Sequence, residues 1–255
     1  MKNKESPLLR HEFNSVFALY STGQFQVAIN KIKALNEIYP NEPLLFNLVG
    51  ACYKELGHLE GAAKMFGVAV SLKPEYAEAH FNLGVIDQAL ENLETAVACY
   101  KRAIAISPNY PDAYNNLGTS FYDLGQIEDS IESLEWAIAY KRDFPEAHYN
   151  LGRSLSDYGR VDAAIKSFKE AIKYNPDYVK AYFNLALSLK DIGDKEGFLK
   201  NIEKTLDIKP EWGAANYHLS QVKKCKKNDP KTAKMLSLLD KDDLDLTDRV
   251  NICLL

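Results

Sequence analysis

Apolar residues step along the chain by three and four with polar residues between them, as in Phe46, Val49, Gly50 and Tyr53, then Leu59, Ala62, Phe66, Ala69 and Val70. That spacing places each set on one face of an α-helix, and the interruption at Gly57 makes the stretch two amphipathic helices. The pair recurs. His80-Phe81-Asn82-Leu83-Gly84, Tyr114-Asn115-Asn116-Leu117-Gly118, His148-Tyr149-Asn150-Leu151-Gly152 and Tyr182-Phe183-Asn184-Leu185-Ala186 follow one another at intervals of 34 residues. Pro40, Pro74, Pro108, Pro176 and Pro210 keep the same beat, with Arg142 where another would stand. A period between about 20 and 50 residues marks stacked repeats, each unable to bury its own apolar face. The pattern therefore predicts an all-α fold of stacked helical hairpins.

The residues at the breaks fit that reading. Gly23, Gly57, Gly125, Gly159 and Gly193 stand between the two helices of their units, where a left-handed residue ends a helix. The third repeat has Glu91-Asn92 there, and Asn92 is expected to supply the turn. Each proline closes a second helix, since helices rarely run through the residue before proline. Gly50, Gly84, Gly118 and Gly152 in the first helices, with Ala62, Ala96, Ser130 and Ala164 in the second, predict close approach of the paired backbones.

These positions resemble the tetratricopeptide repeat family, whose units carry an aromatic residue, Leu-Gly, Tyr, Ala, Phe, Ala and Pro in that order. In one unit they are His80, Leu83-Gly84, Asp87, Ala96, Tyr100, Ala103 and Pro108; in another, His148, Leu151-Gly152, Leu155, Ala164, Phe168, Ala171 and Pro176. The resemblance implies a right-handed α-α superhelix of six units: 9–42, 43–76, 77–110, 111–144, 145–178 and 179–212, after a short lead at 1–8. The first unit has Glu12, Ser15 and Val16 at the aromatic and Leu-Gly places and reads as a cap, because terminal repeats are atypical. The sixth has Phe198 where the others have Ala or Ser, which predicts a wider hairpin or a tilted second helix. Residues 213–227 read as a capping helix, with Lys223, Lys224, Lys226 and Lys227 as its polar outer face. Residues 228–255, with the apolar finish Ile252-Cys253-Leu254-Leu255, read as the start of a further domain of a longer protein or, alternatively, as a tail tucked against the last hairpin.

Composition narrows the function. A net charge of −4 argues against a nucleic-acid partner. No stretch approaches the roughly 18 apolar residues of a membrane span, and the start lacks a secretory apolar region, so a cytoplasmic location is expected. The four cysteines have no CxxC spacing, and no metal or redox pair is expected. There is no GxSxG, phosphate loop or HExxH, which predicts a non-enzymatic segment without a cofactor. The run Asp240-Lys241-Asp242-Asp243-Leu244-Asp245 lacks the Gly and closing Glu of a calcium loop. His80 and His148, in the aromatic place of their repeats, read as packing residues.

The family resemblance implies that first helices line an inner, concave face. Asn82, Asn116, Asn150 and Asn184 then form a column that offers donors and acceptors to a peptide backbone whatever its side chains. Each bond contributes about 0.5–1.5 kcal/mol net, so four need apolar support. Phe81, Tyr149 and Phe183, with Arg153, are placed to give it. Asp123, Asp157 and Asp191 form a second column, and together they predict a mildly acidic groove suited to Lys, Arg or hydroxyl side chains. The alternative is that the asparagines bond within their own helix pairs and the rings pack between neighbouring units. The two columns are similar to those of the O-GlcNAc transferase array, and Asn228-Asp229-Pro230-Lys231 with Leu246-Thr247-Asp248-Arg249 resembles segments joining such arrays to sulfotransferase domains. Only Arg153 and Lys180 are basic at the inner positions, which disfavours a carboxylate clamp for acidic chaperone tails. The expected function is a scaffold binding a protein or extended peptide; the alternative is the substrate-recruiting array of a larger transferase, and self-association is a third reading.

Overall fold

A computed structural model describes residues 7–222, with side chains from Glu12 onward. Thirteen α-helices and no strand occur among the described residues. The chain forms two compact units, Met1–Tyr140 and Lys141–Leu255.

The first unit holds α1 (Pro7–Ser21), α2 (Phe25–Ile38), α3 (Pro43–Glu55), α4 (Leu59–Leu72), α5 (Ala77–Ala89), α6 (Leu93–Ile106), α7 (Pro111–Asp123) and α8 (Ile127–Tyr140). Helices pair as hairpins, α3 with α4, α5 with α6 and α7 with α8, and each hairpin packs on the next. The second unit repeats the plan with α9 (Pro145–Asp157), α10 (Val161–Tyr174), α11 (Val179–Asp191), α12 (Lys195–Ile208) and α13 (Gly213–Val222). Pro43, Pro111 and Pro145 open α3, α7 and α9, where a missing N–H costs no helical bond and the fixed φ suits the first turn.

Small residues close the hairpins as their spacing implies. Ala62, Ala96, Ser130 and Ala164 are 0% exposed. The glycines of the first helices face a large side chain of the second. A Cβ on Gly50 would lie 2.7 Å from the Phe66 ring, on Gly84 2.8 Å from Tyr100, on Gly118 2.6 Å from Leu134 and on Gly152 2.5 Å from Phe168. In the sixth repeat the bulk is redistributed. Phe198, expected to widen or tilt that hairpin, is 1% exposed in a cluster with Ala186, Ile202, Ala215 and Leu219. Ile202 takes the place of the Phe168-type ring, so the ring has moved one turn toward the helix start instead of being added.

One turn differs from expectation. Gly57 and its counterparts have positive φ, and in the third repeat the residue with φ of 62° is Glu91, not Asn92. Asn92 has φ of −83° and precedes α6. Its side chain bonds the Asp87 carboxylate, and its backbone N–H donates to the Asp87 carbonyl at 2.8 Å.

At the chain's start, Phe13 and Val16 on α1 join Ala28, Ile29 and Ile32 on α2 and Leu45 and Leu48 on α3 in one cluster, a packing surface without the aromatic-Leu-Gly signature. The segment expected as a capping helix, 213–227, contains α13. Its lysine-bearing end at 223–227, the segment 228–255 and the lead at 1–6 lie outside the described residues. No helix among the described residues is long and apolar enough to cross a membrane.

Candidate functional site

In the first unit, Asn82 on α5 is half-buried, and its Nδ2 donates to Asn47 Oδ1 on α3 at 3.0 Å. Asn47, 2% exposed, donates in turn to Glu78 Oε1 at 3.2 Å. Asn116 on α7 belongs to a closed circuit. It bonds the Tyr100 hydroxyl; Tyr100 Oη donates to Gln88 Oε1 at 2.9 Å; Gln88 Nε2 donates to Thr119 Oγ1 at 3.2 Å; and Thr119 Oγ1 donates to the Asn116 carbonyl at 2.9 Å. Burial drives the Tyr100 phenol well above its usual range, so it stays a donor throughout the physiological range.

In the second unit, Asn184 on α11 donates to Tyr149 Oη on α9 at 3.1 Å. The Arg153 guanidinium stands 5.9 Å from the Tyr149 ring centroid. Burial pushes the Tyr149 phenol up, against the opposing pull of the Arg153 charge. Asn150 is half-buried, and its carbonyl accepts from Ser154 Oγ at 3.2 Å.

The asparagine column thus serves cohesion as well as exposure. Asn82 and Asn184 each spend one N–H on the preceding repeat, 35 residues back, and retain a carbonyl oxygen and a second N–H by the inventory of an amide. The neighbouring rings pack within their own repeats, each against the aromatic residue that ends the repeat. Phe81 lies 4.9 Å from Tyr110 and 5.8 Å from Tyr100, Tyr149 lies 5.0 Å from Tyr178, and Phe183 stacks on Trp212 at 4.8 Å. The second ring in each pair comes from a column not singled out above, Tyr76, Tyr110, Phe144, Tyr178 and Trp212, which keeps the 34-residue interval just ahead of each first helix. Burial, with Glu78 and Asp112 nearby, pushes the Tyr110 phenol up to about 12.

Asp123, Asp157 and Asp191 are exposed and are the last residues of α7, α9 and α11. Each lies seven residues after the asparagine of its helix, about two turns on and therefore on the same face. A second recurring acidic position, also not singled out from sequence, holds Glu78 and Asp112 in the first unit and Glu146 in the second, each exposed one turn before the asparagine of its helix. His80 and His148 are buried packing residues. Their Nε2 atoms lie 2.9 Å from the carbonyls of Pro74 and Arg142, and Asn216 on α13 makes the matching bond to Pro210 at 3.0 Å. Among the described residues no group of three His, Cys, Asp or Glu side chains is arranged to hold a metal.

Family models described as TPR repeat match residues 88–125, 118–157 and 152–193, and one described as Tetratricopeptide repeat matches 179–211. The chain carries tetratricopeptide repeats. Among solved structures, this repeat array is similar to PilW, titled a widely conserved type IV pilus biogenesis factor, at 19% identity and a TM-score of 0.72 over 85% of this chain and 99% of that one. It is also similar to YrrB, titled a TPR protein with an unusual peptide-binding site, at 20% identity and a TM-score of 0.64 over 73% and 96%. At such identities the likeness is one of fold. Among curated proteins, Anaphase-promoting complex subunit 3 of Dictyostelium discoideum is 33% identical over 64 residues, which are 25% of this chain and 7% of that protein.

Proposed function

We propose that this tetratricopeptide-repeat array is a scaffold whose first-helix faces bind an extended segment of a partner protein. The observation that carries this reading is that an exposed carboxylate closes α7 and recurs at the ends of α9 and α11. A carboxylate at a helix C-terminus opposes the helix dipole and costs about 0.3–1 kcal/mol. That the cost recurs at Asp123, Asp157 and Asp191 fits residues kept for a ligand, as does the company of half-buried amides able to bond a peptide backbone. The fold relative YrrB, titled as having a peptide-binding site, supports the same class of function. The recurring acidic positions favour a segment with lysine, arginine or hydroxyl side chains.

The test uses a labelled extended peptide of alternating lysine and serine. Replacing Asp123, Asp157 and Asp191 together by Asn should weaken binding and flatten its salt dependence while the melting temperature stays level or rises. Unchanged affinity in that variant would refute the reading.

A further inference from the structure

Trp136, Tyr140 and Tyr114 make a ring cluster on the first unit, in which Tyr114–Tyr140 repeats the His148–Tyr174 stack found 34 residues later and Trp136 is the added ring. Trp136 is 47% exposed and Tyr140 39% exposed. Their ring centroids are 5.9 Å apart at 28°, and Tyr114 lies 5.6 Å from Tyr140 at 25° and 6.3 Å from Trp136 at 28°. The three ring planes are therefore within 28° of one another, and two of the rings, Trp136 and Tyr140, are exposed. The corresponding residue of the other repeats, at intervals of 34, is Ala34, Val68, Arg102, Glu170 or Lys204, and in the two adjoining repeats Arg102 pairs with Glu75 and Glu170 with Lys173. Only the fourth repeat of this series puts an indole where its neighbours put a charge.

The rest of α8 is charged in one sense. Its sequence, IEDSIESLEWAIAY, has four carboxylates and no lysine or arginine, and Glu128, Asp129, Glu132 and Glu135 are all exposed. Glu132 is one turn before Trp136, and Glu128 a further turn back, so they share its stripe of the helix. An aromatic face bordered by carboxylates complements a guanidinium, which stacks flat on a ring while its N–H fork pairs with a carboxylate. Phosphate would be repelled by the same carboxylates, and a purely apolar partner would leave them desolvated.

We propose that the solvent face of α8 is a second docking surface, on which a partner protein lays an arginine-bearing segment across Trp136 and Tyr140 against Glu132 and Glu135. This surface is independent of the first-helix faces, and either can fail without the other.

The chain has two tryptophans, so Trp212→Phe in the full chain leaves Trp136 as the sole indole reporter. Titration with an arginine–glycine peptide should give a saturable change in its emission, with a lysine–glycine peptide binding several-fold more weakly. Followed by anisotropy of the labelled peptide in the Asp123→Asn, Asp157→Asn, Asp191→Asn background, Trp136→Ala and the pair Glu132→Gln with Glu135→Gln should each weaken binding about tenfold at unchanged helicity. The Asp123, Asp157 and Asp191 variant should leave the Trp136 emission response intact. Emission that does not respond to the peptide, or affinity that survives Trp136→Ala, would overturn the proposal. So would emission that changes with protein concentration alone, which would assign the face to a second copy of this chain, or an equal response to a glutamate–glycine peptide.

Discussion

The same substitution, glycine to alanine, should have opposite signs at two helical positions. Gly67 lies within α4 and has no atom within 4 Å of where a Cβ would stand. Gly67→Ala should stabilise by about 0.5–1 kcal/mol, the usual gain when a mid-helix glycine loses its excess freedom. Gly152 lies within α9, and its added Cβ would meet three atoms of the Phe168 ring at 2.5, 2.6 and 2.9 Å. That ring is 1% exposed and is flanked by Tyr149 at 6.1 Å, so relief requires moving a packed neighbour or parting the hairpin. Overpacking of this kind costs about 1–3 kcal/mol. Contacts this short belong at the upper end, and subtracting the same helix gain leaves Gly152→Ala destabilised by about 2 kcal/mol. Urea unfolding followed by circular dichroism reads both variants, with the midpoint up for Gly67→Ala and down for Gly152→Ala. The sixth repeat supplies the control, since it pairs Ala186 with Ile202 in place of glycine with a ring. Adding Phe168→Ile to Gly152→Ala should recover part of the loss, with a coupling of more than about 0.5 kcal/mol. A Gly152→Ala protein as stable as Gly67→Ala would refute the claim that ring contact dictates the glycine.

Asp87 is 8% exposed where other repeats have Tyr53, Phe121 or Leu155, and burial raises its carboxyl above 3.8 against the hydrogen bonds from Asn92 and Cys99. The folded chain therefore holds this proton to higher pH than the unfolded one, so its contribution to stability is greatest below the ordinary carboxylate range and is lost as pH rises through the raised value. Asp87→Asn should remove that dependence in urea melts across acidic pH, and Asp87→Leu should stabilise by about 1–2 kcal/mol at neutral pH. Glu91 holds φ of 62°, a conformation that costs a residue with a Cβ about 1–2 kcal/mol. Glu91→Gly should return about 1 kcal/mol, seen as a higher urea midpoint with unchanged slope.

The hairpins and their interval were legible because burial of one face repeats in sequence with the period of the structure. Asn82 and Asn184 show where that legibility stops. Their place on the first helices follows from periodicity, but their partners Asn47 and Tyr149 are chemically unlike, so no repeating letter marks the bond. The aromatic row from Tyr76 to Trp212 carried the same interval and was available to the same comparison. At Glu91 the misreading was one of intrinsic preference. Asparagine tolerates the left-handed region better than glutamate, yet residue 91 stands 34 after Gly57 and the hairpin geometry overrides that preference. Phe198 was legible as a departure, but its consequence depended on reading it together with Ile202, four residues later.

The asparagine hydrogen bonds spanning 35 residues limit how such an array can be rebuilt from its parts. Asn47 and Tyr149 each offer an oxygen to the asparagine of the following repeat, whereas Phe81 offers none, and the asparagine after it, Asn116, turns to the Tyr100 hydroxyl instead. A repeat spliced out, duplicated or moved would bring its own amide but leave the matching oxygen behind. Units of this array are thus exchangeable in compatible neighbours, not singly, and a shuffled version would need its junctions re-matched before it could fold as tightly as the parent.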